Sequence, residues 1–372
     1  YKLPPEAIIK IVDAPQMPVV SVSPDNKLML TLERPGLVSI ADLSAPEYRL
    51  AGLRINPNTN GASRQQYLTS ITATNIDGTD SRVIKGLPAD AKIGAVSWAY
   101  DSKKFSFTNT TSRGVELWVG DIATMTATRI YDGINAIFFG VTEWLPDGSI
   151  LFLGTDKDRG PVPVSSGVPS GPSVQESKGE KGESRTFQDL LTCHDDELLF
   201  EYFATSTLMR WDGVSVHKLG EEAMITNFSP SPDGKWLYVT RIEKPFSYIV
   251  PYYNFPARHE IRDLSGKLVR ELYARPLQES LPRGYDAVFP GPRNFSWRSD
   301  KPATIYWVEA LDNGDYHKNE MKYHDQVYTL EAPFTTDPQK YIALEKRLQR
   351  IVWSNDDLAV VSEGLSKSRV SI

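Results

Sequence analysis

The stretch Phe228 to Thr240 reads FSPSPDGKWLYVT. Pro232 presets φ, Asp233 can bond its own backbone and Gly234 accepts a positive φ, so the chain reverses here between two paired strands. Trp236, Tyr238 and the residues between them then alternate in direction, which is strand periodicity. Related corners recur as VSVSPDNKLMLTL from Val20, VSWAYDSKKFSF from Val96, TEWLPDGSILFL from Thr142, FSWRSDKPATIYWV from Phe295 and IVWSNDDLAVV from Ile351. Each pairs a small or aromatic residue with an Asp-centred turn and a β-rich strand. Their spacing of about 45 to 90 residues fits four-stranded propeller blades with variable loops. A β-sandwich offers similar hairpins but has no reason to repeat one corner at this interval.

The expected fold is therefore all-β, a β-propeller of four-stranded blades. Blades are read at 17–86, 92–132, 136–220, 223–275 and 287–346, with part of a sixth over 348–372. Meander strands supply the rest of each blade: VELWVGDI and ATRIYDG after Val96, YIVPYYNF, HEIRDLSG and LVRELYA after Phe228, QVYTLEA and KYIALE after Phe295. A propeller hides its strand edges by closing its ring, and the sixth blade reads as cut off in the middle.

The 372 residues are 40% apolar and include 8 Trp, 17 Tyr and 14 Phe, a load that excludes a wholly disordered chain and suits sheets. No apolar run approaches the ~20 residues of a membrane span. A formal net charge of −6 argues against a nucleic-acid surface, which carries a clustered basic field. Cys193 is the single cysteine, so no internal disulfide is open to the chain. The opening YKLPPEAIIKIVDAP lacks both an initiator Met and the layout of a signal peptide, and reads as a processed start.

Two segments break the repeat. LRINPNTNGASR, Leu53 to Arg64, opposes helix and strand and reads as a solvated loop. Residues 157–185, rich in Gly, Pro, Ser and Lys, cannot form a core and read as a flexible insertion. Phe187, Leu190 and Leu191 then stand at helical spacing, which predicts a short amphipathic helix after the insertion.

Together LPPEAIIKIVDAP, SPDNKLMLTLERP, LAGLRINPNTNGASR, TFQDLL with LFEYFATS, and GYDAVFPGPRNFSWR resemble the prolyl oligopeptidase family of serine peptidases. The likeness is to the amino-terminal propeller of its glutamyl endopeptidase branch. It implies seven blades, of which this chain carries about five and part of a sixth, capping an α/β-hydrolase domain that follows in the chain. It also implies peptide or unfolded-protein substrates, cleavage after Glu, and a Ser, Asp and His triad downstream of the propeller. No G-x-S-x-G occurs in the chain, since GLSKS from Gly364 lacks the second glycine, so no catalytic residue is assigned. The remaining blades and the hydrolase domain are expected as partners of this part.

A preference for Glu requires a cation near the side-chain pocket. Candidate substrate contacts are Arg54, Arg64, Arg283, Arg293 and Arg298, with Glu201 and Tyr202 of LFEYF alongside. The bland reading pairs these arginines with blade acids such as Asp286 and Asp300. The five histidines fall in no metal-binding spacing, HDD at His194 to Asp196 reads as a helix-flanking turn, and LDNGDY from Leu311 reads as a turn rather than a calcium loop, so neither metal nor cofactor is expected. The aromatic run Tyr248 to Pro256 reads as core. The rival functional reading is a stand-alone propeller that binds proteins. Relatives of this type are exported or imported into plastids, which is the expected setting, with the cytosol and the oligomeric state left open.

Overall fold

The computed structural model describes residues 3–366 apart from 13, 15, 37–38, 139, 165–185, 281–283, 318–319 and 356–357, so most of the expected insertion lies outside the described residues. The corner that opens the sequence folds as its residues dictate. Ser231 Oγ donates to Asp233 Oδ1 at 2.6 Å, and the same carboxylate oxygen accepts from Lys235 N. Trp236 N donates to Ser231 Oγ, and Gly234 takes φ 68°. The corner at Ser23 repeats each bond, with Ser23 Oγ on Asp25 Oδ1 and both Lys27 N and Leu28 N donating to the pair. Asn26, Ser102, Gly148 and Gly234 fill one left-handed position in four copies, and each amide closes a turn onto the carbonyl three residues back. A short polar side chain or glycine is what that backbone tolerates.

The chain forms two compact units. Leading into and through the first are α1 (Glu6–Val12), β1 (Val19–Val22), β2 (Leu28–Glu33), α2 (Ile40–Leu43), β3 (Tyr48–Leu50), β4 (Leu53–Asn56), β5 (Gly61–Ala62), β6 (Ser70–Asn75) and β7 (Arg82–Val83). There follow β8 (Ile93–Trp98), β9 (Lys104–Thr110), β10 (Val115–Asp121), β11 (Thr126–Asp132), β12 (Thr142–Trp144), β13 (Ile150–Gly154), β14 (Ser206–Trp211) and the long β15 (Val216–Pro230), whose later half belongs to the second unit, as does most of α3 (His194–Ala204), which precedes β14 in the chain. Strands pair antiparallel in the orders β1-β2-β6-β7, β8-β9-β10-β11 and β12-β13-β14-β15. Between the first two sheets lie Leu30, Leu32, Ile71, Ile93, Phe105 and Phe107. Leu117, Ile134, Ile150, Phe152 and Trp144 fill the space between the next two. Each such fully buried side chain stabilises the unit by about 1.5–3 kcal/mol.

The second unit continues with β16 (Trp236–Ile242), β17 (Ala257–Asp263) and β18 (Leu268–Arg275), paired in sequence with the end of β15. A four-stranded sheet follows from β19 (Arg293–Trp297), β20 (Thr304–Ala310), β21 (Asp325–Glu331) and β22 (Gln339–Leu344), then a hairpin of β23 (Arg347–Asn355) and β24 (Leu358–Gly364). Tyr238, Ile261, Ile305, Trp307 and Phe334 pack between the first two of these sheets. Val308, Val327, Leu344, Ile351 and Trp353 join the last two. The fold is an all-β propeller of four-stranded blades. Among the described residues no helix is long and apolar enough to cross a membrane.

Within each unit the first strands of successive sheets are stitched together. Trp98 Nε1 donates to the Ser21 carbonyl at 3.3 Å, Trp144 Nε1 to the Ser97 carbonyl at 3.2 Å, and Trp297 Nε1 to the Ser229 carbonyl at 3.1 Å. The corners join as well, Asp25 N donating to Ser102 Oγ and Asp233 N to the Pro302 carbonyl.

Three readings of the sequence need correction. Leu53 to Arg64 is not a solvated loop: β4 and β5 form a hairpin whose tip buries Thr59, Asn60 and Gly61, with Asn60 and Ala62 bonded to the backbone of Ala136. Asn and Gly supply the turn, and Ile55, fully buried, supplies the reason to fold. The short helix expected in the stretch from Thr186 to Phe203 is present as α3, but it starts later than Phe187, Leu190 and Leu191 suggest: those three lie in irregular chain with bends at 188–189, and α3 is opened by the His194–Asp196 string read as a flanking turn. Asp196 caps that opening by accepting from Thr192 N. Finally, YIVPYYNF is no strand; Pro251 interrupts it and Tyr252–Asn254 is a 3-10 turn. Val250 and Phe255 are core, whereas Tyr248 and Tyr253 are exposed.

Burial also shapes a titration. His259 on β17 stacks on Phe295 at 4.8 Å, and its Nδ1 lies 2.7 Å from Tyr238 Oη. Tyr238 and Thr240 face it from β16, and Tyr273 and Arg275 from β18. Burial, then the Arg275 charge, push its pKa down to about 4. Above pH 6.5 the ring is neutral folded or unfolded, so it costs nothing. As pH falls through 6.5 toward 4 the unfolded chain binds the proton first, removing about 2–3 kcal/mol of stability. Urea unfolding at pH 7 and pH 4.5 should show that loss in the wild type and a clearly shallower one in His259→Gln; equal losses would contradict the assignment.

Candidate functional site

In the first unit, residues 65–67 run from the β5 hairpin to β6 past the bulged middle of β8, where the register shifts between Gly94 and Ser97 and Ala95 takes φ 46°. Two cavities flank this crossing and share Gln65, Gln66, Tyr67, Gly94 and Ala95 as wall. The first, about 430 Å³, has a floor of Gly61, Ala62 and Ala136 under Thr59, Thr108 and Thr142. Small residues stand here because neighbouring side chains leave little room for more. A Cβ on Gly61 would stand 3.2 Å from Val115 Cγ2, and one on Gly94 3.1 Å from Thr108 Oγ1. The second cavity, about 470 Å³, is walled by Arg34, Ser39, Asp42, Asp90 and Lys92.

The second cavity's charges are partly spent internally. Lys92 Nζ donates to Asp42 Oδ1 and lies 5.6 Å from the centre of the Tyr67 ring. The Lys92 hydrogen bond, helped by Ser39 and opposed by burial, holds the Asp42 carboxyl below its ordinary value. Burial pushes the Tyr67 phenol up against the opposing hydrogen bond with Thr110. Such a trough can exchange hydrogen bonds with amides through its hydroxyl and carboxamide groups while covering small apolar surface. Reading the sequence missed it, because Gln65, Gln66 and the threonines carry no motif. Its one signal is the small string Gly94-Ala95 in a strand otherwise rich in larger residues.

The residues singled out from the sequence lie elsewhere, in separate groups. Arg64 bonds Glu47 at 2.9 Å, joined there by Arg49 and Ser63, and Arg54 is close enough to add to the same field. Burial raises the Glu47 carboxyl, but these donors outweigh it and hold it low. Glu201 on α3 pairs with Lys244 at 2.7 Å, and Tyr202 follows it on the same helix. Arg298 grips both oxygens of Asp300 and lies 4.0 Å over the Trp353 ring. Arg283 lies outside the described residues.

Arg293 enters a buried ionic cluster. It pairs with Asp325, which also accepts from Arg347 Nη1 at 2.8 Å. Arg347 Nη2 grips both oxygens of Asp312, whose Oδ2 is 2.7 Å from His324 Nδ1. Burial alone would raise Asp312, yet His324 and Arg347 hold it low. These links tie the β20–β21 connection to the start of β23, so their first role is to fix that fold. Among the described residues no group of three or more His, Cys, Asp or Glu could hold a metal ion.

No protein-family model matches the chain. Two curated chloroplastic proteins, each named "Probable glutamyl endopeptidase", are 37% identical to it: the Oryza sativa subsp. japonica protein over 388 residues and the Arabidopsis thaliana protein over 387, each covering 99% of the chain. Along nearly its whole length the chain is similar to a part of these proteins. It spans about two fifths of their length, 41% and 40%. Among solved structures, the β-propeller domain of the Trilobed protease from Pyrococcus furiosus is 11% identical with TM-score 0.42, over 94% of this chain and 80% of that one. Pyrococcus horikoshii acylaminoacyl peptidase is 12% identical with TM-score 0.42, over 94% and 44%.

Arg347 is the sharpest test of the site description. Replacing it by Met leaves Asp312 and Asp325 without their shared cation in a buried setting, which should cost about 3–5 kcal/mol. Arg64→Met, in an exposed pair, should cost about 1 kcal/mol or less. Denaturant midpoints of the two variants check the ranking, and equal losses would contradict it.

Proposed function

We propose that this chain is the substrate-selecting propeller part of a serine peptidase that cleaves peptides after Glu. The observation that carries the proposal is 37% identity over 99% of the chain to proteins named as glutamyl endopeptidases. The trough beside β8 supports it, since its size and the uncharged hydrogen-bonding walls of its first cavity suit an extended chain. On this reading the Ser, Asp and His that do the chemistry belong to an α/β-hydrolase domain, and this chain alone turns over nothing. Its partners are that domain, further blades, and peptide or unfolded-protein substrates. The names of the relatives favour a plastid setting.

Arg54, Arg64, Arg283, Arg293 and Arg298 remain the proposed cations for a substrate carboxylate, and Glu201 and Tyr202 remain proposed substrate contacts. Each described arginine would have to share a guanidinium that already serves an acid of its own chain. The test compares two purified proteins: the 372-residue chain and the complete product of its gene. Only the complete product should cleave peptides, and mass spectrometry should find Glu on the amino side of the cut. Turnover by the 372-residue chain, or cuts without regard to Glu, would overturn the proposal.

A further inference from the structure

We infer that the two-part trough beside β8 is an exosite for an extended, uncharged peptide segment of the substrate. The inference rests on the peptidase reading and deepens it by naming what the propeller selects. No described residue lining the first cavity carries a charge, and Thr59, Thr108, Thr110, Thr142, Gln65 and Gln66 provide polar groups there. In the second cavity Lys92 and Asp42 satisfy each other, and Arg34 and Asp90 bring opposite signs, so the lining as a whole is electrically balanced. A charged side chain entering the first cavity would lose water with no counter-charge to meet it. A neutral segment loses little and gains hydrogen bonds.

The shape argues for an elongated ligand. The cavities lie on either side of one shared wall, Gln65–Tyr67 with Gly94 and Ala95, so a single occupant reaches both by passing that crossing. The bulge at Gly94–Ser97 interrupts the pairing of β8 with β9, and small side chains at Gly94 and Ala95 let another main chain approach. Main-chain recognition of this kind reads extended, unfolded segments and not side-chain identity. The site therefore selects for segments that are unfolded and locally uncharged, away from the residue at which the chain is cut.

The test uses Gln66→Trp, because Gln66 is exposed and lines both cavities, so the change plugs the trough without touching the core. Fluorescence anisotropy with a labelled peptide of Ala, Ser, Gln and Pro should give binding to the wild type and at least about ten-fold weaker binding to Gln66→Trp. A peptide of equal length with Lys or Asp at alternate positions should bind about ten-fold more weakly to the wild type. In the complete gene product, Gln66→Trp should raise KM for a long neutral substrate by a larger factor than for a minimal Glu substrate. Equal binding by wild type and Gln66→Trp, indifference to peptide charge, or displacement by a neutral oligosaccharide with no effect of peptide would each overturn the exosite. Loss of Glu cleavage by the unaltered complete product would instead sink the peptidase reading, since peptide binding is read separately on the 372-residue chain.

Discussion

A partly buried backbone carbonyl on one first strand, met by an indole N–H from the next, is the contact on which the arrangement of blades depends. Strand ladders satisfy the backbone within a sheet, but a first strand has a partner on one side only. Trp98, Trp144 and Trp297 reach from their own strands to the carbonyls of Ser21, Ser97 and Ser229, pinning the spacing between neighbouring sheets at one end. The corner bonds from Asp25 N and Asp233 N add a second fixed point. With two points held, the apolar faces between sheets close in one register. The last hairpin uses a variant: Trp353 occupies the same place in its copy, but its buried Nε1 finds no partner among the described residues and Arg298 covers its ring.

Much of this was legible in the sequence because each element is local. The Ser-x-Asp-x-Lys pattern sets the turn through bonds within five residues, so it reads from one copy. The tryptophan column is visible too, in VSWAYD, TEWLPD, FSWRSD and IVWSND, although its meaning is not, since the acceptor lies a whole repeat away. What failed to read depended on distant partners. Nothing inside LRINPNTNGASR reveals that Ala136 pairs with its tip, and a segment with four Asn and Pro residues then looks like solvent-exposed loop. YIVPYYNF has strand composition, but Pro251 removes the donor a ladder needs.

The candidate sites divide by the same rule. Arginine is conspicuous in a sequence, and its acidic partner is not: Glu47 is 17 residues from Arg64, and Asp312 is 35 from Arg347. Reading arginines as substrate contacts therefore overlooks the acids that already hold them. The trough beside β8 shows the opposite failure. It is made of glycine, alanine, threonine and glutamine, residues with no chemical signature, and becomes a site only when the β5 hairpin and the bulge of β8 face each other.

The seam is most directly tested by solvent exchange of indole N–H protons in NMR spectra, with the resonances of Trp98, Trp144 and Trp297 assigned through single Phe substitutions. The account predicts that these three exchange far more slowly than an exposed indole and that each is lost with its own substitution alone. Exchange of all three at the rate of a free indole would mean that the first strands are not joined through them, and the account of how the blades are held would fail.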